Sequence, residues 1–211
     1  MSEPAGRADQ QHSAATRIAT RSRTTKETAI EVTIGLDGAG GPVSVSTGLP
    51  FFDHMLDQVG RHGGFALTVK AEGDLHVDGH HTVEDTGIVL GEAFAEALGD
   101  KAGVARFASG LFPLDEALVE VALDLSGRPF VVWDVPFGEV LPLGDPPFNP
   151  EMAGHFWRSF ATAADLTLHV TKRAGDNTHH VVEASFKGVA RCLRAAVRID
   201  GTTIPSTKGT L

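Results

Sequence analysis

The chain has 211 residues, of which 42% are hydrophobic and 21% charged, a size and composition that suit one substantial globular domain or two small fused ones. Its formal net charge of −9 argues against a nucleic-acid-binding protein, because affinity for nucleic acids depends on a basic face. No apolar run approaches the roughly 18 residues that indicate a membrane span, and the N-terminal segment lacks the apolar core of a secretory signal. Cys192 is the only cysteine, so we expect no internal disulfide framework and predict a cytoplasmic protein.

Apolar periodicity predicts the same order of elements in both halves of the chain. In chain order, the predicted segments are a flexible arm (1–20), strands (30–36 and 43–45), a helix from Pro50 (50–63), a strand (65–69), a long helix (80–98), strands (118–125 and 130–135), a proline-rich loop (136–150), a helix (152–160), a strand (166–170) and a last helix (178–199). Each half therefore has the order strand-strand-helix-strand-helix, which indicates an internal duplication. The predicted boundaries are 21–103 for the first half-domain, 104–200 for the second and 201–211 for a C-terminal tail.

The residues with metal-binding side chains repeat with the elements. His54 precedes a His-His-x-x-Glu segment in the first half, and His155 precedes a second one in the other half. One histidine pair is more often a surface feature, but two such segments, each with a preceding helical histidine, favour a metal centre. The candidate ligands are His54, His80, His81, Glu84, His155, His179, His180 and Glu183. We interpret His62 and His169 as ordinary histidines outside this scheme, with a substrate contact left open for His62.

Helix geometry predicts how these ligands are shared. Adjacent residues of a helix point about 100° apart, so His80 and His81 are expected to bind different ions, while Glu84 shares a face with either. Two sets of three histidines and one glutamate leave two positions of an octahedral shell and favour Mn²⁺, two ions per subunit, with Fe²⁺, Co²⁺ or Zn²⁺ as substitutes. A binuclear hydrolase such as a phosphatase is an alternative, although such enzymes hold their ions about 3.5–4 Å apart over bridging carboxylates. A metal-storage module is a third interpretation.

Basic and hydroxyl side chains outside the ligand sets are candidates for an anion site. Arg106, Arg128 and Lys187 are joined by the C-terminal Ser206, Thr207 and Lys208. Guanidinium, ammonium and hydroxyl groups are the usual donors to a phosphate. We therefore predict a small-molecule phosphate as the substrate.

Several segments together resemble one enzyme family. They are Phe52-Asp53-His54-Met55-Leu56-Asp57-Gln58, His80-His81-Thr82-Val83-Glu84-Asp85, Leu114-Asp115-Glu116-Ala117, Asp124-Leu125-Ser126-Gly127-Arg128-Pro129, His179-His180-Val181-Val182-Glu183-Ala184 and Pro205-Ser206-Thr207-Lys208-Gly209. From about Arg21 to Leu211 the chain resembles imidazoleglycerol-phosphate dehydratase, a lyase (hydro-lyase) of histidine biosynthesis. The resemblance implies an α+β fold with helices packed on two mixed sheets, and a homo-oligomer of 24 subunits with sites shared between neighbours.

The resemblance also implies the reaction and the role of individual residues. Water is lost from D-erythro-1-(imidazol-4-yl)glycerol 3-phosphate to give 3-(imidazol-4-yl)-2-oxopropyl phosphate. The eight candidate ligands become Mn²⁺ ligands, with Glu84 and Glu183 as the carboxylates of the catalytic site. The implied substrate contacts are Glu27, Gln58, Arg106, Arg128, Lys187, Ser206 and Lys208. Because no carbonyl acidifies the proton at C2, a simple base would be too weak, and metals on the imidazole nitrogens would favour an imidazolate that helps to expel the hydroxyl. A positioned carboxylate then moves protons, and Glu27 is the candidate.

Overall fold

The structure is a computed structural model that describes residues 17–37, 41–138 and 140–211, and within these ranges it contains eight strands and four helices. The strands are β1 (Ile18–Thr24), β2 (Thr28–Gly35), β3 (Val43–Ser46), β4 (Ala66–Gly73), β5 (Phe107–Leu114), β6 (Ala117–Asp124), β7 (Phe130–Asp134) and β8 (Thr167–Ala174). The helices are α1 (Pro50–Gly63), α2 (His80–Leu98), α3 (Met152–Ala163) and α4 (Thr178–Ala196).

The strands form two four-stranded sheets with the same topology, in the orders β1-β2-β4-β3 and β5-β6-β8-β7. In each sheet the first three strands are antiparallel and the last pairs in parallel, so both sheets are mixed. The predicted α+β class, the internal duplication and the two mixed sheets are confirmed.

Each half contains one more strand than the periodicity predicts, namely β1 and β5. Both lie at a sheet edge, where one neighbour is missing and strict alternation of apolar residues is not required. Ala19 is the only buried residue of β1, and β5 contains Gly110 and Pro113, which weaken the strand signal. Because β1 begins at Ile18, residues 18–20 belong to the sheet rather than to the predicted arm. The arm's residues 1–16 lie outside the described part of the chain.

The helices pack in pairs that cross the two halves, α2 against α3 and α1 against α4. Glycine permits the closest approach: a Cβ on Gly87 would lie 2.8 Å from the carbonyl oxygen of Phe156, and one on Gly91 would lie 2.5 Å from that of Phe160. The crossing matters for function because all the predicted metal ligands lie on these four helices.

The proline-rich loop and the C-terminal tail also contact the folded body. Phe148 is fully buried and stacks on Phe52 of α1, which anchors the loop beside the N-terminus of α2. In the tail, the carbonyl oxygen of Thr203 accepts a 2.9 Å hydrogen bond from the Gly103 amide. None of the four helices in the described ranges is long and apolar enough to cross a membrane.

Candidate metal centre and phosphate pocket

The first group of predicted ligands joins helices from opposite halves. His54 lies on α1, whereas His179 and Glu183 lie one turn apart on α4. Glu183 Oε2 is 2.9 Å from His179 Nε2 and 3.5 Å from His54 Nε2, and one donor atom of each residue lies within 4.8 Å of the others. Among the described residues, no other group of three His, Cys, Asp or Glu side chains comes as close. Two imidazoles and a carboxylate are a donor set that suits a divalent transition metal.

The second group has the same arrangement with the two halves exchanged. His155 lies on α3 of the second half, and its ring centroid is 5.0 Å from that of His80 on α2 of the first half. Glu84 lies one turn further along α2, half-buried, but the three side chains do not bring one donor atom each within 4.8 Å of one another. The structure therefore brings two of the three predicted ligands together here.

Each histidine of this group borders a different cavity. His155 lines a cavity of about 470 Å³ together with Trp133 and Arg158. His80 lines another, of about 250 Å³, with Phe148 of the proline-rich loop.

His81 and His180 are directed away from their adjacent histidines, towards carboxylates of their own. His81 Nδ1 lies 3.0 Å from Asp74 Oδ2, and His180 Nδ1 lies 2.8 Å from Glu116 Oε2. The hydrogen bond with Asp74 raises the pKa of His81, and the one with Glu116 raises the pKa of His180. The same hydrogen bond with His180 lowers the pKa of Glu116 to about 2. A carboxylate on Nδ1 fixes the tautomer that offers Nε2 to a metal, which is how metal-binding histidines are usually oriented.

Sequence reasoning assigned no role to Asp74 or Glu116. Asp74 directly follows β4, and Glu116 occupies the turn between β5 and β6, in one of the segments that carried the resemblance. Their positions beside the histidines depend on strand pairing, so sequence spacing gives no direct signal for them.

Charged and polar side chains surround the carboxylate of Glu183. Lys187 Nζ lies 2.6 Å from Glu183 Oε1. Burial raises the pKa of Glu183, but the hydrogen bonds with Lys187 and His179 outweigh it, so the pKa is lowered and the group stays ionised. Gln58 is 8% exposed, with Nε2 3.4 Å from His54 Nδ1 and Oε1 3.1 Å from His62 Nε2. Gln58 therefore orients a predicted ligand as well as lying beside the site.

The predicted anion-binding residues of the tail form a pocket with two arginines. A cavity of about 500 Å³ is lined by Arg106, Arg128 and the tail segment 205–208, which includes Ser206, Thr207 and Lys208. Asp124 orients Arg106 by accepting hydrogen bonds from Nε at 2.7 Å and Nη2 at 3.1 Å. Nη1 of Arg106 donates to the carbonyl oxygen of Pro205 at 2.7 Å, which ties the tail to the pocket.

The predicted site residues thus fall into separate groups within one chain. Lys187 lies beside Glu183 and does not line the tail pocket. Glu27, in the turn between β1 and β2, lies 3.8 Å from His81 Nδ1 and has 54% of its side chain exposed.

Comparisons with known proteins agree with this arrangement of elements and side chains. The sequence profile of imidazoleglycerol-phosphate dehydratase matches residues 47–193. The chain is 54% identical over 196 residues to the imidazoleglycerol-phosphate dehydratase of Acidothermus cellulolyticus, covering 92% of this chain and 93% of that protein. It is also 54% identical over 197 residues to the histidine biosynthesis bifunctional protein HisB of Stenotrophomonas maltophilia, covering 93% of this chain and 54% of that protein.

A solved structure gives the same result. The crystal structure of imidazoleglycerol-phosphate dehydratase from Staphylococcus aureus superposes with a TM-score of 0.76 at 34% identity, covering 86% of this chain and 99% of that one. These matches confirm the resemblance seen in the motifs and the predicted enzyme class. The chain belongs to the imidazoleglycerol-phosphate dehydratase family, a family of hydro-lyases.

Proposed function

We propose that this chain catalyses the Mn²⁺-dependent dehydration of D-erythro-1-(imidazol-4-yl)glycerol 3-phosphate to 3-(imidazol-4-yl)-2-oxopropyl phosphate in L-histidine biosynthesis. The observation that carries the proposal is the crossed pairing of ligands between halves, because it occurs twice. His54 meets His179 and Glu183, and His155 meets His80. Family membership supplies the substrate, and the basic tail pocket suits its phosphate.

Each of the two ligand groups would hold one Mn²⁺ ion. The fit rests on donor chemistry, since each group offers imidazole nitrogens with a glutamate on the same helix, a mixed set that Mn²⁺ accepts. When bound, the ions supply Lewis acidity that stabilises the deprotonated imidazole ring of the substrate. Lys187 keeps the Glu183 carboxylate ionised and in place.

The remaining residues bind the phosphate and move the proton. Asp124 holds the guanidinium group of Arg106 in place through two hydrogen bonds. Arg106 then donates to the phosphate together with Arg128 and the tail residues Ser206, Thr207 and Lys208. Glu27 takes the proton from C2 and returns a proton to the hydroxyl group on the carbon next to the imidazole ring, which leaves as water; the resulting enol tautomerises to the ketone. The exposed carboxylate of Glu27 lies beside His81 and has no short hydrogen bond of its own among the described residues, so it is free to reach a bound substrate.

The separation of these groups within one chain supports a site shared between subunits. His81 and His180 each complete the ligand set of a neighbouring subunit, which gives every ion three histidines and one glutamate. The assembly that the family implies has 24 subunits. We also propose that the enzyme is cytoplasmic. Cys192 is a free, buried thiol, and cysteines without disulfides are typical of cytosolic proteins.

Incubation of the Mn²⁺-loaded protein with the imidazole substrate, with assays for both ketone and free phosphate, tests the proposal. We expect ketone to form without phosphate release. Phosphate release in step with substrate loss would support a binuclear hydrolase instead. His179→Ala should lower kcat/KM by at least about 10²-fold, because it removes a metal ligand. The matched control is His169→Ala, which truncates an exposed histidine on β8 and should leave turnover unchanged.

A further inference from the structure

A buried carboxylate ties α2 to the hairpin that carries Glu27. Asp85 directly follows Glu84 on α2 and is 7% exposed. Its Oδ2 accepts a 2.5 Å hydrogen bond from Thr28 Oγ1. The same oxygen lies 2.5 Å from Nη1 of Arg23, an ion pair that lacks the alignment of a hydrogen bond. Because Thr28 immediately follows Glu27, Asp85 holds the backbone next to the proposed proton shuttle.

The second half of the chain builds the same packing without this polar contact. Strand register and the two His-His-x-x-Glu segments define the positions equivalent to Arg23, Thr28 and Asp85, which are Phe112, Ala117 and Ala184. Both alanines are 1% exposed. Apolar side chains therefore suffice to pack a helix on this hairpin, as expected from the small net gain of buried ion pairs over apolar residues. The polar cluster of the first half has a role beyond packing.

The glutamates of the two hairpin turns suggest what that role is. Glu116 of the second half contacts His180 Nδ1 at 2.8 Å, so its carboxylate is used to hold the turn against α4. In the first half, Asp74 occupies the corresponding place at His81 Nδ1, and the Glu27 carboxylate stands off at 3.8 Å. The first hairpin thus lacks the anchor that a turn glutamate gives, and Asp85, one helical turn beyond His81 on α2, replaces it through Thr28.

The backbone of Glu27 is fixed at both of its polar groups. Its amide donates to Thr25 Oγ1 at 3.1 Å, and its carbonyl oxygen accepts from the Asp74 amide at 3.1 Å. Thr25 Oγ1 also lies 3.3 Å from Thr28 Oγ1, which connects this turn to Asp85. The side chain of Glu27, in contrast, is largely exposed. Fixed backbone and free carboxylate are what a proton shuttle needs, because small errors of placement cost large factors in rate.

We propose that Asp85 is a positioning residue for Glu27, acting through Thr28 and Arg23. It holds the hairpin turn on the ligand-bearing helix, so that the Glu27 carboxylate needs no anchoring contact and remains available for proton transfer. This inference deepens the proposed dehydratase function and rests on it.

Asp85→Asn keeps the shape of the side chain and removes its charge. We expect kcat to fall by about 10-fold with KM within about threefold of wild type and Mn²⁺ content unchanged, because a misplaced shuttle slows chemistry more than binding. Amide hydrogen exchange should speed up at Glu27 and Asp74 while α2 stays protected. The control is Asp37→Asn, which breaks another Asp–Arg pair, with Arg17, beyond the far end of β2 and should leave kcat unchanged.

A second variant guards against misfolding caused by leaving Arg23, whose Nη1 atom is buried, without its ion-pair partner. The combined change Arg23→Phe, Thr28→Ala and Asp85→Ala imports the residues of the second half and leaves no buried charge. It should fold like wild type and show the same loss of kcat.

The decisive measurement combines Asp85→Asn with Glu27→Gln. If Asp85 acts through Glu27, the double variant should lie within about twofold of Glu27→Gln alone, because the two residues share one role. Three outcomes would each overturn the inference. They are a double variant whose loss of kcat equals the product of the two single losses, an unchanged kcat in Asp85→Asn, and loss of Mn²⁺ from Asp85→Asn. A wild-type protein that forms no ketone would instead overturn the proposed function, and hydrogen exchange would still report whether Asp85 holds the turn.

Discussion

Gly91 controls how closely α2 approaches α3, and Gly91→Ala should therefore destabilise the protein. An added Cβ would lie 2.5 Å from the carbonyl oxygen of Phe160, 2.7 Å from Ala163 Cβ and 3.1 Å from the amide nitrogen of Ala164. All three atoms are backbone or directly attached to it, so no side-chain rotation relieves the contact. The helices must separate instead.

Two opposing effects set the magnitude. Alanine is favoured over glycine in a helix interior by about 1 kcal/mol, which would raise the free energy of unfolding. Overpacking a tight core contact costs about 1–3 kcal/mol, and a contact with backbone belongs at the upper end of this range. The clash therefore outweighs helix propensity, and the unfolding free energy should fall by about 1–2 kcal/mol.

Urea unfolding of the metal-free protein, at one protein concentration, measures this difference. The control is Gly60→Ala on α1, where the three atoms nearest the added Cβ, at 2.6–3.3 Å, belong to the side chain of Val43 rather than to a helix backbone. Val43 is partly exposed on the short strand β3, which can shift more easily than a packed helix, so the loss should be smaller. Because His80 and His155 lie on the separated helices, titration with Mn²⁺ should also show one weakened site and one unchanged. A Gly91→Ala protein as stable as wild type or more so would show that the helices separate freely and that the glycine does not set their distance.

The remaining predictions concern the tail, the proton shuttle and the assembly. Deletion of 205–211 should lower kcat/KM severely while circular dichroism and metal content stay as in wild type, and unchanged turnover would remove the tail from the phosphate pocket. Glu27→Gln should lower kcat by about 10²-fold or more if it shuttles the proton, whereas a loss of only a few fold would assign that role to another group. Chelation of Mn²⁺ should reduce the oligomer to smaller species in size-exclusion chromatography with light scattering, and His81→Ala and His180→Ala should weaken assembly, because the metal contributes its binding free energy to the interface. Full oligomer size in the metal-free protein and in both variants would show that the interfaces hold without metal.

The sequence predicted the ligand-bearing helices closely because their signals are local. Pro50 begins α1 as its first residue, and the glycine that follows the helix adopts a left-handed conformation with φ 67°. The start of α2 at His80 also agrees, since Asp78 Oδ1 accepts a 2.7 Å hydrogen bond from the His80 amide. The last helix ends at Ala196, whereas the apolar pattern extended it to 199, because Val104 pairs with Ile199 in an isolated bridge. A tertiary contact there overrides the local pattern.

Partners across the fold could not be predicted in the same way. Spacing along the chain does not assign His54 to either His-His-x-x-Glu segment, whereas the structure pairs it with His179 and Glu183 from the other half. Which helices meet depends on the close approach that glycines such as Gly91 allow, and this is a property of the packed core. The carboxylates beside His81 and His180 were missed for the same reason, since strand pairing decides their positions.

The crossed pairing gives the duplication a physical meaning. Each half presents a histidine on its first helix and a His-His-x-x-Glu segment on its second, but these two parts contact the opposite half. Two identical halves would therefore form two identical ligand groups related by a pseudo-twofold axis. Joining the halves in one chain allows the two groups to differ.

Two positions show such a difference. Gln58 orients His54 on α1, whereas the same position on α3 is Ser159. Asp85 contacts the first hairpin, whereas the second half has an alanine at that position. These two differences lie beside the ligands but not at them, so one half can serve proton transfer while both keep their metal-binding residues.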